Sequence, residues 1–257
     1  MRIVSLCPSL TELVFDLGRG GELVGITDYC VHPADRVGAI EKVGGTKTPK
    51  IDRIVELRPD LVLLNEEENR AEDAEALARA RVRCHASFPR DVQGTADMVR
   101  SIGEALERGA EAERIAQDIE TRAARVRKDA AGKREVPFAY LIWRKPWMAV
   151  NRDTFAHALL ALAGGRNVFA DLPDRYPEID FAGLERASPE IVLLGTEPFP
   201  FENKHVDELA LATGFPKSRF RVADGEYLSW HGSRTPDGID YAARLVATAR
   251  EATAGSP

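Results

Sequence analysis

The chain has 257 residues, 44% hydrophobic and 30% charged, which is enough to bury one large core or two moderate ones and excludes a wholly disordered chain. Its net charge of -6 presents no overall basic face, which argues against nucleic acid or an anionic membrane as partner. No run of about 18 apolar residues is present to span a bilayer, and three cysteines, Cys7, Cys30 and Cys84, fit reduced thiols while leaving a disulfide between two of them open.

In chain order, residues 2–6 read as a first strand with no long apolar leader or small-residue cleavage site ahead of it. That pattern points to a cytoplasmic chain, or to a periplasmic or cell-surface one if a leader is missing. A helix is expected over 9–17, opened by Pro8, Ser9 and Glu12 and closed by the loop Gly18-Arg19-Gly20-Gly21. Strands follow at 22–26, 61–64 and 82–86, with helices near 51–57, 70–80 and 92–106 between and after them. Strands separated by helical segments imply parallel βαβ units in a three-layer α/β lobe.

A Glu/Arg/Ala-rich stretch over 110–131 carries Ile115, Ile119 and Val126 on a narrow apolar stripe and is closed by Gly132. As a helix of ~22 residues it would extend roughly 33 Å, and its basic residues between Arg122 and Lys128 alternate with acids as on a solvated face. A second α/β lobe restarts with a strand at 136–142, a helix from 153 or 154 to Gly164-Gly165, a short helix at 181–187, a strand at 190–194 and an edge strand at 220–222. Thr235-Pro236-Asp237 opens the last helix, and the Ala-Thr-Ala-Gly-Ser-Pro tail reads as disordered. The fold class is therefore α/β, two three-layer lobes with mostly parallel sheets joined by one long backbone helix. The divisions are 1–109, 110–133 and 134–257.

One signature occurs twice. Arg58-Pro59-Asp60-Leu61-Val62-Leu63-Leu64 follows an amphipathic helix, and Ser188-Pro189-Glu190-Ile191-Val192-Leu193-Leu194 follows another. Proline ends each helix and biases the residue before it towards extended geometry, and each strand is apolar enough to be buried on both faces. The match between Leu13 to Gly18 before Val24 and Leu159 to Gly164 before Val168 extends the repeat.

With Ser5-Leu6-Cys7-Pro8-Ser9-Leu10-Thr11-Glu12, Leu23-Val24-Gly25-Ile26-Thr27, Tyr29, Pro33, Val43-Gly44-Gly45-Thr46 and the run from Ile51 to Leu64, the chain resembles the class III, helical-backbone substrate-binding proteins that bind cobalamin, iron-siderophores or haem. The resemblance covers nearly the whole chain. It implies a non-catalytic, monomeric receptor that holds such a ligand in a cleft between two lobes and docks on an ABC permease. Family members dock through a carboxylate from each lobe, seven residues before the proline of the repeated signature. The first position here is Asp52, and the second is Ala182, with Asp180 and Glu185 close by. That departure leaves open a cytoplasmic carrier or sensor on the same scaffold, and an enzyme on tetrapyrroles or metals is a further alternative.

In open α/β sheets ligands bind beyond the carboxyl ends of the strands. The loops there hold Tyr29, which matches a cobalamin-lining position of the family, and all three tryptophans, Trp143, Trp147 and Trp230, as candidate walls for a large planar ligand. Lys47 and Arg234, with Arg144 and Lys145, are candidate partners for carboxylate, amide or phosphate groups, and Glu67 is a candidate from the run Glu66-Glu67-Glu68, read as opening a helix. His231 is a candidate ligand-binding imidazole, including as axial donor to a chelated metal, while His85, His157 and His205 read as packing or surface residues. No C-x-x-C or H-E-x-x-H spacing supports a resident metal site, and neither a G-x-S-x-G elbow nor a phosphate loop after the first strand supports catalysis.

Overall fold

Leu61-Val62-Leu63-Leu64 has no polar face. In the computed structural model, which describes residues 1–254, it lies in a strand buried along its whole length. This strand, β3 (Leu61–Asn65), sits inside a parallel sheet of order β2-β1-β3-β4 with β1 (Ile3–Ser5), β2 (Leu23–Ile26) and β4 (Cys84–Ser87). Helices α1 (Pro8–Asp16), α2 (Ile51–Glu56) and α3 (Ala71–Arg79) lie in the three crossovers, and α4 (Val92–Ala105) follows the last strand. Val4, Leu6, Ile54, Val62, Leu64 and Leu77 form a core on one side of the sheet, each contributing about 1.5–3 kcal/mol when fully buried. This first compact unit comprises residues 1–89, 93–118 and 231–234.

The long helix α5 (Gly109–Ala130) is continuous over 22 residues, and the chain passes from the first unit to the second within it, between Asp118 and Ile119. The second unit comprises residues 90–92, 119–230 and those from Thr235 onward. Its sheet runs β6-β5-β8-β9, built from β5 (Val136–Trp143), β6 (Met148–Ala149), β8 (Ile191–Gly195) and β9 (Phe220–Ala223), while β7 (Gly165–Asn167) pairs with β5. All pairs are parallel except β5 with β6. Helices α6 (Phe155–Leu162), α7 (Phe181–Ala187), α8 (Asn203–Thr213), α9 (Gly225–Ser229) and α10 (Thr235–Ala254) complete it. Residues 252–254, expected as part of a disordered tail, continue α10 because two of the three are alanine, the best helix former. The rest of that tail lies outside the described residues.

The two copies of the repeated signature share a backbone conformation that differs from the extended one expected before proline. Arg58 has φ 48° and Ser188 has φ 43°, both left-handed. Ser188 caps its helix and Arg58 follows the cap Leu57, and each N–H bonds back to the last turn, Arg58 to Val55 at 3.0 Å and Ser188 to Leu184 at 3.0 Å. The acid after the proline then fastens the neighbouring first strand. Asp60 N–H donates to Arg2 O at 2.8 Å and its carboxylate accepts from Arg2 N–H at 2.7 Å. Glu190 N–H donates to Pro137 O at 2.8 Å and its carboxylate pairs with Arg134 at 2.5 Å.

Ser188 is exposed, so its side chain can be changed without loss of packing. Ser188→Val, which forces a β-branched side chain into left-handed geometry, is expected to lower stability by about 1–2 kcal/mol, whereas Ser188→Gly is not. Urea unfolding midpoints measure both.

Candidate functional site

In the first unit the loops at the carboxyl ends of the strands are tied by two buried asparagine amides. Asn65, the last residue of β3, accepts at Oδ1 from the N–H groups of Glu67 (3.0 Å) and Glu68 (3.1 Å) and donates through Nδ2 to Ser87 O at 3.2 Å. Asn69 accepts from Asn65 N–H at 2.8 Å and donates to Leu6 O (2.9 Å) and Thr46 O (3.0 Å). One turn thus holds the loop after β1 and the loop carrying Lys47. Glu66, Glu67 and Glu68 lie in this turn and do not open the helix as expected; α3 begins at Ala71 with Arg70 at its N-cap. The reason is that Asn65 supplies the cap to Glu67 and Glu68, which local side-chain capping favours over helix.

Lys47 donates to the backbone carbonyl of Glu67 at 2.6 Å. Burial raises the Glu68 carboxyl above its ordinary range, opposed by the charge of Lys47 and reinforced by Glu67. Tyr29 is 62% exposed, and Gly45 lies near its ring, where a β-carbon would sit 3.4 Å from Cε2. Cys7 and Cys30 are buried free thiols among hydroxyls, with Cys30 Sγ 3.0 Å from Thr11 Oγ1 and 3.1 Å from Thr27 Oγ1. Burial, with help from Glu68, pushes the Cys7 thiol up to about 12, so it is protonated and unreactive at neutral pH.

Residues 231–234 belong to this unit. Arg234 makes a two-pronged pair with Glu12 of α1 at 2.8 and 2.5 Å, and Ser233 bonds the carboxylate of Asp16 one turn further on. His231 is 5% exposed, with Nε2 2.8 Å from Asn65 Nδ2. The nitrogen expected to face a chelated metal is therefore engaged by Asn65, and the guanidinium expected to meet an anionic ligand is engaged by Glu12.

In the second unit Trp143, the last residue of β5, is 40% exposed and stands edge-on against Phe199 at 5.9 Å. The other two tryptophans are placed differently. Trp147 stacks on Phe201 at 5.8 Å and packs against Phe181 at 6.0 Å as part of the core under α7 and α8. Trp230 is 7% exposed and its indole N–H donates to Glu197 at 2.7 Å. Arg144 is held by Glu208 through two bonds of 3.0 and 2.9 Å. His205 is buried between Phe199 and Phe201 and caps α8 by accepting from Glu202 N–H. Sequence reasoning placed 65–70 among the strand-end loops but gave no individual role to Asn65, Asn69 or Phe199, and read Glu68 as part of an acidic run opening a helix. The spacing of two asparagines around an acidic run was the available signal for Asn65, Asn69 and Glu68, and Pro198-Phe199-Pro200-Phe201 after β8 for Phe199.

The family model for periplasmic binding proteins matches residues 3–212. The chain belongs to the periplasmic binding protein family. A vitamin B12-binding protein of Vibrio parahaemolyticus is 24% identical over 191 residues, covering 74% of this chain and 69% of the relative. This periplasmic binding protein superposes on the periplasmic vitamin B12 binding protein of Vibrio cholerae with a TM-score of 0.84 at 20% identity, covering 97% of this chain and 98% of that one. The periplasmic heme-binding protein of Roseiflexus gives 0.84 at 23% identity, covering 98% of each. Among the described residues no helix of the binding protein is long and apolar enough to cross a membrane, and no group of three His, Cys, Asp or Glu side chains could hold a metal ion.

The raised Glu68 carboxyl has a stability consequence. Well below the ordinary carboxyl range both folded and unfolded forms are protonated and no difference exists. As pH rises the unfolded chain ionises first, so the folded state is penalised from that range upward. Glu68→Gln is therefore expected to raise the urea midpoint at pH 7, with the gain vanishing below about pH 4; a gain that grew towards acid pH would contradict the assignment.

Proposed function

We propose that this chain is a solute receptor for a metal chelate, a corrinoid, haem or ferric siderophore, which it binds as a monomer without turnover. The observation that carries the reading is that a large aromatic side chain is left uncovered at the strand-end loops of each unit, Tyr29 in one and Trp143 in the other. Trp143 stands against Phe199, and Gly45 leaves room beside the Tyr29 ring. Exposed aromatic surface suits a ring ligand, because little side-chain entropy is lost on contact. The names of the relatives, vitamin B12-binding and heme-binding, support the same chemical class. Lys47 and Glu67 are further polar candidates in the first unit, while Trp147, Trp230, His231 and Arg234 are engaged within the protein by Phe201, Glu197, Asn65 and Glu12.

The proposed partner is an ABC permease, met outside the cytoplasm through Asp52, whose carboxylate is exposed in the first turn of α2. Ala182 favours a second reading, a carrier or sensor that does not dock. Asp180 is committed as N-cap of α7, accepting from Gly183 N–H at 2.6 Å, so it is a poor substitute for the missing acid.

Titration calorimetry with cyanocobalamin, haemin and ferrichrome tests the reading. Saturable one-to-one binding of at least one is expected, and Tyr29→Ala or Trp143→Ala should weaken it by about tenfold, the effect of roughly 1.4 kcal/mol of aromatic contact. Absence of heat with all three would overturn it.

A further inference from the structure

Residues 231–234 return to the first unit for four residues, while Trp230 before them and Thr235 after them belong to the second. Of the three side chains that fasten this strap, only His231 changes charge near neutral pH. Its partner has one possible orientation. Asn65 Oδ1 faces two backbone N–H groups, those of Glu67 and Glu68, and Nδ2 faces a backbone carbonyl, that of Ser87. Backbone donors and acceptors cannot exchange roles, so the amide cannot be turned over without losing all three bonds. Asn65 Nδ2 is therefore the donor to His231, and Nε2 of His231 is an unprotonated acceptor.

A second proton on the imidazole would place an N–H on Nε2 directly against the N–H of Asn65 Nδ2. Asn65 is 0% exposed and His231 5%, so the two donors would meet where little solvent is at hand to separate them. The conflict is relieved by separating the strap from the turn. That turn positions the Glu67 backbone to which Lys47 is bonded, and through Asn69 it holds Thr46 and Leu6.

The charged and titratable groups on the surrounding elements are Glu12 and Asp16 of α1, Glu66, Glu67 and Glu68 of the turn, Lys47 of the adjoining loop, and Arg70 with Asp73 at the start of α3. His85 of β4, Arg234 of the strap itself and the Cys7 thiol of the loop after β1, on which the Glu68 charge acts, belong with them. Glu12, Asp16 and Asp73 already have cationic or hydroxyl partners in Arg234, Ser233 and Arg70, and His85 bonds Ser101.

We propose that His231 is a positioning residue that holds the 65–69 turn in its binding shape only while its imidazole is neutral, so that acidification loosens the turn and weakens ligand binding. The part concerning ligand rests on the solute-receptor reading; the part concerning the turn does not.

Amide hydrogen exchange on the full chain, without ligand, tests the turn. Protection factors at Glu67 and Glu68, corrected for intrinsic exchange, should fall by about tenfold from pH 7.5 to 5.0 in the wild type, the loss of one buried hydrogen bond. In His231→Gln, which keeps an acceptor and does not titrate, protection should be independent of pH. In His231→Ala it should be low at both. Equal wild-type protection at the two pH values, or the same fall in His231→Gln, would overturn the proposal. Affinities for cyanocobalamin and haemin measured at the same pH values should fall on acidification in the wild type, and their ratio should approach one in His231→Gln. If neither probe binds, the receptor reading fails and the exchange data still decide the role of His231.

Discussion

Loops at the carboxyl end of a parallel sheet face a difficulty, since the strands stop while their backbone polar groups still need partners in a place where water is scarce. In the first unit that need is met by Asn65 and Asn69. Between them they join the ends of β1, β3 and β4 and the loop carrying Thr46. Each amide uses both its donor and acceptor capacity on fixed backbone groups, which makes the network directional: one side chain cannot be reversed without orphaning several buried atoms. Everything placed around it inherits that rigidity, including Lys47, whose ammonium rests on a carbonyl of the same turn, and His231, whose Nε2 lies 2.8 Å from the Asn65 amide nitrogen.

The duplicated signature solves a related problem at the opposite end of the strands. A short helix must stop and a fully buried strand must begin within three residues. In both units a left-handed residue follows the helix, a proline prevents its continuation, and an acid turns its N–H and carboxylate onto the start of the first strand. The left-handed residue is arginine in one copy and serine in the other, so neither has the conformational freedom of glycine, and the strain each carries is offset by the helix-ending bonds to the preceding turn. The shared geometry, more than the shared letters, is what marks the two segments as one unit used twice.

Periodicity and punctuation made most of the architecture legible. Buried strands such as Leu61 to Leu64 and Ile191 to Leu194 have one reading, and Thr154, Gly164 and Thr235 mark helix ends by chemistry that acts locally. Short elements were illegible for the converse reason. β6 and β7 are two and three residues long and exist because β5 offers them an edge, and α8 is specified by a capping box in which His205 stands where a glutamate or glutamine is usual. At the site, residue type revealed which side chains had something to offer but not whether a neighbour had already taken it. Trp143 and Trp230 look equivalent in sequence, yet Glu197 claims the second and none of the residues packed on the first removes it from solvent.

That question of prior commitment also bears on what the binding surface can recognise. The cations nearest the strand ends are engaged within the protein: Arg144 by Glu208, Arg234 by Glu12 and Arg70 by Asp73, each through two bonds. A partly buried two-pronged pair cannot be diverted to a ligand without stranding its carboxylate, so recruiting any of these arginines would cost more than an exposed charge would. What remains available without such a penalty is the exposed aromatic surface, together with Lys47, whose ammonium rests on a backbone carbonyl. A ligand held mainly through rings tolerates variation in its peripheral charges, whereas one held by arginine forks would not. Under the proposed receptor reading, this internal pairing, with Tyr29 and Trp143 each exposed in its own unit, is the reason a ring-shaped ligand body suits the protein better than an anionic group.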